Sequence, residues 1–297
     1  MFGVGLVELG AVGVLFSVLC ALVLWRVSRA LVLAFSGSGA TAVPTREWQL
    51  VLGVRLLGMV VGALLAVFTF SLGSNGRGPM LSLAVFGLSV LLATAIGETV
   101  VRPHPTPGVR TASLTPRRIR DYLPWTTPLV GFLVVAAVAV LTVTTLTASD
   151  DELGRARVVA CRSAAGAAAR SPYPGAFYSL PLAVALLVVL GSAALAARRV
   201  VDRPRGMAAS PDDDDGLRRN SLDMVLAATG TAVAAPLFGV ALVGGGGMRI
   251  LHEDPVGCAP GWYGPAGIVL LLIALVALWS TSLFLGRLVL VKSTGRA

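Results

Sequence analysis

Charge is scarce in this chain. Only 13% of its 297 residues are Asp, Glu, Lys or Arg, against about 25% in soluble globular domains. Lysine is reduced to Lys292, and histidine to His104 and His252. So little polar material excludes a soluble reading. It also starves most catalytic schemes. No Walker loop, GxSxG elbow, HExxH helix or CxxC pair occurs. The two histidines are expected on opposite sides of a membrane, so no Ser/His/Asp set can be drawn. The expectation is a non-enzymatic protein with no catalytic residue, no cofactor and no metal. Cysteine is limited to Cys20, Cys161 and Cys258. The opening MFGVGLVELG lacks a basic n-region, so no cleavable leader is expected. A lipoprotein site ending at Cys20 would need a small residue where Leu19 stands.

What the chain does have is long apolar runs. Hydrophobic residues make up 56% of it, and its mean hydropathy is +0.83. About 20 apolar residues span a bilayer. Seven segments reach that length: 2–25, 50–72, 79–97, 126–147, 178–197, 222–243 and 265–286. The expected fold is therefore all-α, a single bundle of about seven transmembrane helices with no soluble domain. Residues 98–197 and 198–297 each read as basic loop, helix, Cys-containing loop, helix, which suggests a weak parallel repeat.

The basic residues orient the bundle. The stretches 26–49, 98–125 and 198–221, together with the C-terminal tail, hold seventeen of them, and the alternate loops hold six. The positive-inside rule then puts the N-terminus outside and the C-terminus in the cytoplasm. A formal charge of +9 thus reflects topology rather than nucleic-acid binding. Trp25, Trp48, Tyr122 and Trp125 fall at the expected inner interface. Tyr173, Phe177, Tyr178, Trp262 and Tyr263 fall at the outer one, as aromatic belts do; Trp279 lies deeper.

The most patterned polar stretch is Arg110–Trp125, RTASLTPRRIRDYLPW. Thr115 can cap a helix, Pro116 suits its first position, and Pro124 stops it. Arg117, Arg118 and Arg120 would line one side, with Ile119, Tyr122 and Leu123 on another. A short basic helix on the membrane surface is expected, touching anionic headgroups at the cytoplasmic face. The partners implied are the lipid bilayer and a membrane or cytoplasmic protein.

Within the spans Arg55 stands out. Gly58 and Gly62 share its face, and Gly-xxx-Gly faces pack against neighbouring helices. Arg55 should point into the bundle and find a carboxylate. Glu98 is the first candidate and Asp223 the second. The pair is either a structural tie or part of a transport path. Cys161 and Cys258, each alone in an outer loop, are disulfide candidates; two free thiols are the alternative. Pro236 should kink its helix, and Gly244–Gly247 should form a flexible exit from the membrane. Glu8 reads as interfacial. Asp212–Asp215 reads as a solvated loop, and His252, Glu253 and Asp254 do not match a metal-ligand spacing. Ser113 and Ser221 follow arginines as kinase sites do, though Ser221 more simply caps a helix.

The run GETVVRPHPTPGVRTASLTPRRIRDYLP, from Gly97 to Pro124, resembles a segment of integral membrane proteins of Streptomyces and related actinobacteria. LRRNSLDMVLAATG and CAPGWYG resemble the same group, and Arg-rich, Lys-poor usage fits a high-GC genome. Its members carry no assigned activity. The resemblance implies location and lineage and supplies no catalytic or binding residue.

Overall fold

The structure, a computed structural model, describes residues 46–72, 77–100, 119–203 and 211–289. The expected span 2–25, with Glu8 and Cys20, lies outside them, as do Arg117, Arg118 and the Ser113 motif. Within them the chain is a helical bundle, and six helices are long and apolar enough to cross a membrane. They are α1 (Arg46–Leu72), α2 (Arg77–Val100), α3 (Thr127–Thr147), α4 (Ala176–Asp202), α5 (Pro211–His252) and α6 (Tyr263–Val289). The chain is therefore an all-α, multi-pass membrane protein.

The packing follows side-chain size. On α1 the residues turned inward are Val51, Arg55, Gly58, Gly62 and Ala66, one narrow stripe. Leu57, Val60, Leu64 and Val67 are exposed, as lipid-facing residues are. A methyl on Gly62 would stand 2.9 Å from the Cβ of Ser89, and one on Gly58 would overlap Ala93, both on α2. Small residues let the two backbones close in, because dispersion rather than water exclusion holds helices together in lipid. The centre of the bundle is α5, the most buried span, with 72% of its apolar window inside. Its Ala228 and Leu237 share one core cluster with Val90, Leu91, Leu133, Leu182, Val189 and Ala274 of the surrounding helices.

Helix α5 differs most from expectation. It has 42 residues rather than a span over 222–243, and at 1.5 Å per residue is about 63 Å long. Asp212–Asp215 are its first turns, not a solvated loop. Acidic residues there suit the positive end of the helix dipole, with Pro211 at the start. At its other end Gly244–Gly247 stay helical rather than forming a flexible exit. A methyl on Gly245 would lie 2.8 Å from the Gly267 carbonyl oxygen of α6, so the glycines are where that helix crosses. Helix α5 continues through Pro236 as one element.

Between α3 and α4 the chain forms a small antiparallel sheet, β1 (Ser149–Asp150), β2 (Ala156–Ser163) and β3 (Gly166–Arg170), in the order β1-β2-β3. Cys161 pairs with Ala168 across β2 and β3. Cys161 is disulfide-bonded to Cys258, with Cα atoms 5.5 Å apart. The α5–α6 connection has no such hairpin, so the two halves of the suggested repeat differ in this loop and in the length of their first helix.

Of the expected basic surface helix the described residues hold a 3-10 turn, Ile119–Tyr122. Arg120 is exposed, but Tyr122 is buried against Val200, Val201 and Leu222. The apolar side of the turn thus serves as a plug on the ends of α4 and α5. Only part of the aromatic belt is at the surface. Trp125 and Trp262 are exposed, whereas Tyr173, Tyr178 and Tyr263 are core; the deeper Trp279 is exposed too.

Candidate functional site

At one end of the bundle four helices are tied together by buried charge. Arg55 of α1 donates to Glu98 Oε1 of α2 at 2.7 Å and to the Ser221 hydroxyl of α5 at 2.7 Å. Ser221 in turn donates to Glu98 Oε1 at 2.9 Å. Arg203, just past α4, donates to the other carboxylate oxygen, Oε2, at 2.8 Å. Glu98 therefore faces two guanidinium groups and a hydroxyl, all nearly solvent-free. A second layer lies beside it. Arg218 reaches Asp214 Oδ2 at 3.0 Å, one turn back on α5. It also donates to the carbonyl oxygens of Val201 and Arg203, each at 2.7 Å. Those carbonyls end α4 and have no partner within it, so Arg218 caps α4 while sitting at the negative end of its dipole.

The physical reason for such density is the cost of isolated charge. An ion in a low-dielectric interior loses several kcal/mol of hydration unless it is paired and hydrogen bonded. Most of these charges bond across to another helix and the Arg218–Asp214 pair lies within α5, so the contacts that offset desolvation also fix the positions of α1, α2, α4 and α5. The arrangement is a clasp.

Asp223 is not part of it. This second candidate for Arg55 instead binds Arg287 of α6 at 2.6 Å. Arg287 also lies over the Trp125 ring, 4.8 Å from its centroid. That contact joins α5 and α6 to the start of α3. Ser221, expected as a cap, is fully buried inside α5, where a kinase could not reach it. Asp215 accepts from the Tyr122 hydroxyl at 3.2 Å. Arg203, Asp214 and Arg218 escaped sequence reading, because hydropathy assigns them to a loop.

At the other, hairpin end the polar groups are arranged differently. Tyr173 is buried, its hydroxyl 2.6 Å from that of Thr147, and burial pushes its pKa up to about 12. Partial desolvation works against ionisation of Asp151. The Arg155 and Leu153 amides and the Arg157 guanidinium outweigh that and hold its carboxyl below the usual range. Glu253 pairs with Arg249 and Asp254 with Arg170; with His252 they do not converge on a common point, and no metal-ligating group of three occurs among the described residues.

Between the two ends the described interior is apolar apart from hydroxyls. Thr94, Thr144, Thr229, Thr231, Ser280 and Thr281 each donate to the carbonyl four residues earlier in their own helix. Among the described residues these geometries define a helical membrane protein with an apolar interior and a charged clasp. No family model matches the chain, and no curated protein or solved structure matches it.

Proposed function

We propose that this is a non-enzymatic protein of the cytoplasmic membrane that acts through a membrane or cytoplasmic protein partner and through lipid. The observation that carries this reading is the apolar interior of the described bundle. In the described helices the charges are tied at the ends, and the mid-depth hydroxyls bond within their own helices. A solute would meet Leu, Val and Ala between them. Orientation belongs to the proposal. The clasp end lies in the cytoplasm, with the N-terminus outside and the C-terminus inside, because the clasp end bounds the Arg-rich stretches. Arg120, Arg198, Arg199 and Arg219 are exposed there and form a basic surface for anionic headgroups or an acidic protein.

The alternative is a small-molecule or ion permease with Arg55 and Glu98 at its inner mouth. Against it, Glu98 already holds two arginines and a serine, so admitting a solute means breaking the clasp. The test is affinity purification of the tagged protein from its native membranes in mild detergent. A stoichiometric protein partner is expected. A partner-free protein that drives solute uptake into proteoliposomes would overturn the reading in favour of the permease.

A further inference from the structure

The hairpin end carries an imbalance that the clasp does not. Arg157, Arg170 and Arg249 each have a carboxylate within 2.9 Å. Arg77 and Arg155 have none among the described residues, yet both converge on one aromatic ring. The guanidinium carbon of Arg77, in the first turn of α2, lies 3.5 Å from the Phe177 ring centroid, and that of Arg155 lies 5.8 Å from it. Arg77 spends one N–H on the Phe177 carbonyl at 3.0 Å. Among the described residues its remaining donors, and the Arg155 side chain, have no protein acceptor. Both side chains are only half-buried, so a ligand can reach them.

Phe177 opens α4, and what lies below it matters as much. Leu180, Val184 and Leu187 follow at helical spacing and are all exposed, at 68%, 55% and 70%. The ridge therefore runs down the membrane-spanning part of α4 from directly beneath the two arginines. The first turn of α4 has no acidic residue and no side-chain cap, so the field there also favours an anion. Cations at headgroup depth above an exposed apolar track match a phospholipid, with the phosphodiester at the top and an acyl chain below. Two positive charges without carboxylates favour a lipid of net negative charge.

We infer that Arg77, Arg155 and Phe177, with the α4 ridge beneath them, form a binding site for one anionic phospholipid in the leaflet at the hairpin end. This goes beyond the proposed function, because the site is at the opposite end from the clasp and stands with or without a protein partner.

The experiment is native mass spectrometry of the full-length protein in detergent, titrated separately with phosphatidylglycerol, phosphatidylcholine and inorganic phosphate. One phosphatidylglycerol should be held more tightly than any later one and more tightly than phosphatidylcholine. Arg77→Gln/Arg155→Gln should weaken that first binding about tenfold or more. Arg162→Gln, exposed at the hairpin tip, should leave it unchanged. Arg155→Gln alone removes a side chain with no hydrogen bond among the described residues, and should weaken binding even if the double variant is unstable. Wild-type affinity in the Arg155→Gln protein, equal retention of the two lipids, or matching stabilisation by inorganic phosphate would each overturn the assignment.

Discussion

Glu98 is the residue on which most depends. Its carboxylate meets both Arg55 and Arg203, and it does so without solvent. Replacing it with Gln keeps the shape and removes the charge, which leaves two guanidinium groups facing each other. The expected cost is about 3–5 kcal/mol, the range for breaking a buried pair from one side. It should read out as a lower thermal-unfolding midpoint and a smaller folded fraction on size exclusion. Wild-type stability in Glu98→Gln would mean the clasp is ornamental. Tyr173 makes a quieter claim. Its folded pKa is raised, so its contribution is complete below about pH 10, the free-tyrosine value. It is lost as pH rises toward about 12. Subtracting the alkaline absorbance titration of Tyr173→Phe from that of the parent should show one phenol ionising late. Asp151 has the opposite sign. Its depressed pKa stabilises the hairpin above the ordinary carboxylate range, and that support fades as pH falls through the folded value.

Among the elements, α1 and α5 set the limits of what could be read in advance. The stripe on α1 was legible, since Gly58 and Gly62 share a face with Arg55 and small residues at that spacing mean contact. A test follows from the geometry. Gly58→Val should force α1 away from Ala93 of α2 and cost about 1–3 kcal/mol, whereas Gly131→Ala on α3, with nothing within 4 Å of the added methyl, should be close to neutral in the same thermal assay. Helix α5 was less legible. Hydropathy finds only its apolar middle. It discards Asp212–Asp215, although Pro followed by acidic residues is itself a helix-start signature. Arg218 was hidden by the same boundary, because its value comes from the carbonyls of α4, which no sequence window contains. The hairpin was missed for another reason. Its strands are short and rich in Ala and Arg, with Val158 and Val159 their only β-branched residues, so local preference is weak. The Arg55–Glu98 contact needed only matching depth on adjacent helices. The Asp223–Arg287 contact joins residues 64 apart and needed the crossing of α5 and α6.

The molecule as a whole is fastened twice, by ion pairs at one end and by a disulfide at the other. The second fastening is directly measurable. In a Cys20→Ser background a membrane-impermeant maleimide should label neither remaining cysteine until reductant is added. Reduction should then lower stability by about 2–4 kcal/mol, the usual worth of such a link. Full labelling without reductant would exclude the bond.

Cys161 lies ahead of α4 and Cys258 behind α5, 97 residues apart, so the bond closes a covalent ring that contains both helices. A single backbone nick between residues 203 and 211 opens that ring without dividing the molecule. The nicked protein should run as one band on a denaturing gel without reductant and as two with it. A break between α4 and α5 is thereby held together by the bond at the opposite end of the bundle.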